Sequence, residues 1–218
     1  TNEAKDNFLT AEKEFAIHAR IYPACVRHLG PDRALYAATV ITKNPHPYVV
    51  GFGMGGDESF LTQKDFAPAF KLADEAGLAT TTHAGEVCGA ESVWDAINYL
   101  PVSRIGHGVR SIGDSSLINE LVKRDIHLEV CPGSNIALGI YPDFASHPLR
   151  ALIEAGVSLS LSSDDPPHFK TNIEREYEYA HVEFGLDGGD LLALTKNALK
   201  AAFCDSGLKQ ELLTKLHL

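Results

Sequence analysis

The sequence predicts an α/β protein whose strands run parallel and are joined by helices, and three observations predict it. Short β-branched or apolar runs alternate with amphipathic stretches of helical spacing along the chain. Five of those runs end in a tight knot of glycine and ionisable residues: YVVGFGMGGDE at 48–58, ATTTHAGE at 79–86, RIGHG at 104–108, IHLEVCPGSN at 126–135 and VSLSLSSDDPP at 157–167. Helices close near a glycine or proline that returns the chain to a strand, as Glu75-Ala76-Gly77, Leu100-Pro101 and Glu154-Ala155-Gly156 do. Parallel strands need helical crossovers of this kind, so the polar knots gather at the carboxyl ends of the strands.

The elements follow in order. A charged helix over about residues 2 to 13 precedes a strand in IHARIYPACVRH (17–28). PDRALYAATVITK (31–43) reads as a helix with Pro31 in its first turn, where the missing N–H is not needed. After the strand near residue 50, Phe66, Ala69, Phe70 and Ala73 share one helix face. Val93, Ala96, Ile97 and Leu100 mark the next, and Leu117, Ile118, Leu121 and Val122 a shorter third. The strands total six. A doubly wound sheet and a (β/α)₈ barrel both meet this pattern. GFGMGG opens no helix in the register of a dinucleotide-binding loop, and functional groups follow strand after strand, which favours the barrel. Six units leave either an incomplete barrel whose first two strands are missing or an open sheet.

At 218 residues, 44% hydrophobic and 22% charged, the chain suits a single globular domain over 1–218. A net charge of −10 opposes nucleic acid as a partner. No apolar run approaches the roughly 18 residues of a spanning helix, so no membrane partner is expected. Cys25, Cys88, Cys131 and Cys204 are scattered without a CxxC pair, which fits reduced thiols in a cytoplasmic enzyme better than a disulfide scaffold or a thiolate metal site. The chain opens on Thr1 with a charged stretch in place of a signal peptide.

Four of the strand ends carry groups a metal hydrolase needs. A lone buried histidine is more often a packing residue, but His83 stands three residues before Glu86 in a glycine-containing turn. Neutral imidazole suits zinc, and a carboxylate beside it moves protons. His107 lies between Gly106 and Gly108, where the backbone can approach a ligand closely. Asp164 and Asp165 are adjacent in an extended segment, so they face different ways and serve different partners; either one before Pro166 would also cap a helix. Cys131 reads as core or rim, since no activating base is near it in sequence. His18, His28, His46, His127, His147, His168, His181 and His217 are expected at the surface or as caps, with His168 close enough to the Asp pair to line a pocket.

HAGE at 83–86, RIGHG at 104–108, EVCPGSN at 129–135 and SSDDPPHF at 162–169, in this order and spacing, resemble the adenosine deaminase family of metal-dependent amidohydrolases. GGDE at 55–58 is similar to that family's substrate-contacting loop, and the resemblance runs from about residue 14 to the C-terminal helices. It implies a (β/α)₈ barrel with one Zn²⁺, of which this chain holds about the third to eighth strands. By the same resemblance His83 and Asp164 are zinc ligands, Glu86 protonates purine N1, and His107 orients and deprotonates the attacking water. Gly56 and Asp165 then contact the ring nitrogens. The implied reaction is hydrolysis of adenosine to inosine and ammonia, with adenine deaminase as the nearest alternative. The family's HxH pair, which supplies two further ligands, occurs nowhere in the sequence, so a missing N-terminal segment of the same protein is an expected partner. A metal-deficient fragment that only binds nucleoside or a partner is the non-catalytic alternative. The signature joining HxE to PCxxC, which marks the cytidine-type zinc deaminases, is absent.

Overall fold

Six strands pair side by side in the order in which they occur in the chain, every pair parallel. They are β1 (Ala24–Val26), β2 (Gly51–Gly55), β3 (Ala79–Ala84), β4 (Arg104–His107), β5 (His127–Val130) and β6 (Leu159–Leu161). The structure, a computed structural model, describes residues 9, 10 and 12 to 216. A doubly wound sheet reverses its strand order at a switch point, and this one does not. With each crossover right-handed, unbroken sequential order puts the helices on one face and leaves the other as a barrel interior. The fold is therefore a (β/α)₈-type barrel with six strands present, β1 and β6 forming its open edges among the described residues.

The helices are α1 (Pro31–Lys43), α2 (Ala67–Glu75), α3 (Ala90–Tyr99), α4 (Ser115–Arg124), α5 (Pro132–Ala137), α6 (Leu149–Glu154), α7 (Pro166–Phe169), α8 (Ile173–Val182), α9 (Gly188–Ala201) and α10 (Ser206–Lys215). Residues 9, 10 and 12 to 15 are also helical, while the remainder of the helix expected over 2–13 lies outside the described residues. Asp114, Asn172, Asp187 and Asp205 accept backbone N–H bonds at the starts of α4, α8, α9 and α10, which fixes where those helices begin. None of the described helices is long and apolar enough to cross a membrane.

Between sheet and helices, Phe52, Phe66, Phe70, Ile105, Leu117, Leu121, Leu128 and Leu159 are fully buried in one core. The opposite face carries polar groups that satisfy one another. Thr81 Oγ1 donates to Glu129 Oε2 at 2.7 Å, and Arg104 Nη2 lies 3.1 Å from Glu129 Oε1. Two sequence expectations shift. Pro23 has no N–H for a ladder, so β1 spans only Ala24–Val26, with Ile21 joined to Val49 by an isolated bridge. Val122 is 45% exposed, and the face of α4 rests on Leu117, Ile118 and Leu121.

His127 and His147, expected at the surface, are buried. His127 sits 2.9 Å from both Ser158 Oγ and Ser160 Oγ. Burial, with Arg104 adding, lowers its pKa to about 4, and burial lowers that of His147 to about 4. An unfolded imidazole takes its proton near 6.5. Between these values the unfolded state binds more protons, so stability is full above about pH 6.5 and is lost as pH falls through this window. Each histidine should contribute on the order of 3 kcal/mol to acid destabilisation below about pH 4. Thermal unfolding measured from about pH 8 down to about pH 4 should show the midpoint falling below pH 6.5, and His127→Gln should flatten the fall. An unchanged midpoint across that window would refute this account.

Candidate active site

A cavity of about 520 Å³ opens at the carboxyl ends of the strands, with Gly56, His83, His107, Cys131, Asp164 and Asp165 in its wall. A larger one, about 940 Å³, lies at the amino ends beside Ala79, Arg104, His127 and Leu159 and touches none of the candidate residues. Five of the six candidate residues, all but Glu86, therefore belong to the smaller cavity.

His83 points inward from the end of β3, directly paired with Gly106 of β4. The pairing leaves room for the ring. A Cβ on Gly106 would stand 2.7 Å from His83 Cδ2, and one on Gly55 would stand 3.3 Å from Cε1. Gln63, buried and unassigned by sequence, donates from Nε2 to the His83 carbonyl at 2.9 Å and accepts from Thr82 Oγ1 at 3.1 Å.

Strict strand alternation would send His107 to the side of Ile105. Its φ of 64° breaks the alternation and brings the ring into the cavity, with its centroid 4.6 Å from that of His83. Left-handed backbone is uncommon outside glycine and carries about 1–3 kcal/mol of strain. Asp125 and Lys170 adopt it where helices end, but His107 and Asp164 (φ 54°) adopt it at strand ends that meet in one cavity. His107 Nδ1 is buried without a hydrogen-bond partner, and burial, helped by the charge of His83, lowers the ring's pKa to about 3.

Glu86 lies beside this pair, its Oε2 3.5 Å from His107 Nε2. Burial, then the charges of Asp164 and Glu58, raise its pKa to about 7 against the opposing hydrogen bond from Asn135. Ligand atoms of His83, Glu86 and His107 lie within 4.8 Å of one another, as do those of His107, Cys131 and Asp164. The Cys131 thiol is pushed well above its ordinary value, chiefly by burial, and so stays protonated.

Gly56 follows the end of β2 with φ 102°, where a side chain would be strained and would crowd His28. Asp165 precedes α7 but makes no capping bond, and it is exposed. Its carboxylate is free for a ligand rather than occupied as a cap. His168 is exposed and does not line the cavity.

Sequence reasoning gave Glu58 no role. It is 4% exposed and collects the 85–88 loop: its carboxylate accepts from the backbone N–H of Gly85, of Glu86 at 3.1 Å, of Val87 at 2.7 Å and of Cys88 at 2.9 Å. Ser92 Oγ donates to it as well, at 2.7 Å. The GGDE motif contained the residue, but no local pattern announces contacts to a loop 27 to 30 positions away.

A family model described as adenosine deaminase matches residues 1–217. The chain belongs to the adenosine deaminase family. Among its relatives in that family is a protein named adenine deaminase from Agrobacterium fabrum, 50% identical over 206 residues that make up 94% of this chain and 63% of the relative. The chain thus spans about 63% of the length of that relative. The solved structure of an adenine deaminase from Arthrobacter aurescens superposes with a TM-score of 0.92 at 27% identity, covering 98% of this chain and 65% of the other. An amidohydrolase from Burkholderia ambifaria, solved with bound Zn, gives a TM-score of 0.90 at 28% identity over 96% of this chain and 59% of its own.

Proposed function

We propose that this protein is a metal-dependent adenine deaminase, converting adenine and water to hypoxanthine and ammonia. The observation that carries the reading is the meeting of a neutral buried imidazole, His107, with a carboxyl group poised near neutrality, Glu86, beside His83 and Asp164. The half-identical relative named adenine deaminase favours the free base over the adenosine expected from the sequence motifs. Four cysteines without disulfide partners support a cytoplasmic setting.

The residues fit a divalent metal. His107 Nδ1 is an unmet buried donor or acceptor, and glycines clear the His83 ring on both sides. Ligand atoms approach within 4.8 Å in two groups that share His107, one with His83 and Glu86 and the other with Cys131 and Asp164. We assign His83 and Asp164 as ligands. When bound, zinc supplies Lewis-acid chemistry that brings the pKa of water from roughly 15.7 to about 7. Gly106→Ala should push the His83 ring out of place and weaken metal retention about 10- to 100-fold in a chelator competition. Unaltered retention would mean that the glycine does not serve His83.

The chain's own groups then divide the work. Glu86 in its acid form gives its proton to the ring nitrogen next to the amine-bearing carbon, neutralising charge as it develops on the ring. His107 orients the attacking water and accepts its proton. A C–O bond forms at the amine-bearing carbon, and His107 passes the water's proton to the amine. The C–N bond breaks, ammonia leaves, and the remaining hydroxyl proton returns to Glu86 as the carbonyl forms. Gly56 and Asp165, on the rim, hold the remaining ring nitrogens.

The domain reading is part of the proposal: residues 1–218 form one unit, the C-terminal two-thirds of the barrel, with β1 to β6 as its third to eighth strands. The absent HxH pair and the 63% span support it, the remaining ligands coming from the rest of the protein. The test is turnover of adenine against adenosine by the full-length protein, with its metal content measured in parallel. Adenine should be the better substrate. Turnover of adenosine alone would move the assignment to the nucleoside, and inactivity toward both with metal bound would end the catalytic reading.

A further inference from the structure

Asn135 and His147 have no part in the scheme above, yet they form a hydrogen-bonded chain that ends on Glu86. Asn135 is wholly buried and His147 is 5% exposed. Asn135 Nδ2 donates to Glu86 Oε1 at 3.3 Å, and Asn135 Oδ1 lies 3.1 Å from His147 Nε2. The far end fixes the direction. The backbone N–H of Leu149, at the start of α6, donates to His147 Nδ1 at 3.2 Å. A backbone N–H can only donate, so Nδ1 bears no proton, and a neutral imidazole must then carry its proton on Nε2. Burial keeps this ring neutral. The rings of Tyr141 and Phe184, with centroids 5.0 and 5.6 Å from that of His147, wall it off. With Nε2–H donating to Asn135 Oδ1, the amide nitrogen of Asn135, and not its oxygen, must face Glu86.

We propose that His147 and Asn135 are positioning residues that decide which oxygen of Glu86 carries its proton. Oε1 is held as an acceptor by the Asn135 amide, so the acid proton sits on Oε2, the oxygen that faces His107 at 3.5 Å. The Leu149 N–H, through one locked tautomer and one locked amide, sets the donor direction of the acid. This rests on the reading of Glu86 as the proton donor.

The test uses the full-length, metal-loaded protein. Asn135→Ala should lower kcat about 10- to 100-fold, as loss of a hydrogen bond to an ionisable group does, with KM and metal content little changed. His147→Phe should do the same, and His147→Gln, which keeps a donor, should recover part of the loss. On a Glu86→Gln background Asn135→Ala should change kcat by less than about 2-fold, because its effect passes through the acid. A full multiplicative loss there would reduce Asn135 to a packing role and overturn the proposal while leaving Glu86 as the acid. If Glu86→Gln alone leaves turnover intact, the acid assignment falls first and the proposal with it. Long-range ¹H–¹⁵N correlations of His147 in the wild-type protein need no variant to fold. They should show the Nε2–H tautomer, and an Nδ1–H tautomer would overturn the chain at its origin.

Discussion

Replacing Glu86 with Gln in the full-length protein should lower kcat by on the order of 10² to 10⁴ while the metal stays bound. Glutamine keeps the size of the side chain and an acceptor for the Asn135 amide, but it has no acidic proton to release. The wild-type carboxyl is suited to the task because burial and the nearby charges of Asp164 and Glu58 raise its pKa to about 7. Asp164→Asn should act differently, weakening metal retention, since a neutral amide is a poorer ligand than the carboxylate. Metal analysis after dialysis, set beside steady-state kinetics, separates the two. Were Glu86→Gln to strip the metal and Asp164→Asn to keep it, the roles of ligand and acid would have to be exchanged.

Glu58→Gln should cost about 3 kcal/mol of stability and most of the turnover, although this side chain does not line the cavity. One carboxylate serves four consecutive backbone N–H groups and the Ser92 hydroxyl, so it holds the N–H side of the turn that carries Glu86, while Arg110 holds carbonyls of the same turn. An amide in its place turns an NH₂ toward N–H donors, leaving buried groups unpaired. Denaturant unfolding gives the stability change. Hydrogen exchange at residues 85–88 gives the local one, and protection there equal to that of the wild type would remove Glu58 from this role.

The parts of the site legible in sequence are those that a strand end displays. His83, Glu86, His107 and Asp164 each follow an apolar run; His83, His107 and Asp164 line the cavity, and Glu86 stands beside the two histidines. What sequence could not show depends on what packs opposite. His147 read as a surface residue because nothing local reveals that Tyr141 and Phe184 enclose it. Glu58 and Gln63 have no role in the sequence because their partners lie on β3 and the loop after it. Backbone strain is equally hidden: strict alternation would place His107 on the side of Ile105, and its left-handed φ explains the ring's position. Asp165 illustrates the reverse case. Alternation along an extended segment sends it to a different side from Asp164, and Asp165 is exposed at the rim while Asp164 is half-buried.

Because every strand pairs only with its neighbours in sequence, the candidate groups are spread over successive βα units. The turn after β2 brings Gly56, β3 and the turn after it bring His83 and Glu86, β4 brings His107, and the turn after β6 brings Asp164 and Asp165. On the proposed reading, substitutions at Gly56 or Asp165 can reshape what the rim admits while leaving His107 and the turn that carries Glu86 in place. Selection for a different guest can then act on short, separate stretches of the gene, and the groups set deeper are inherited unchanged.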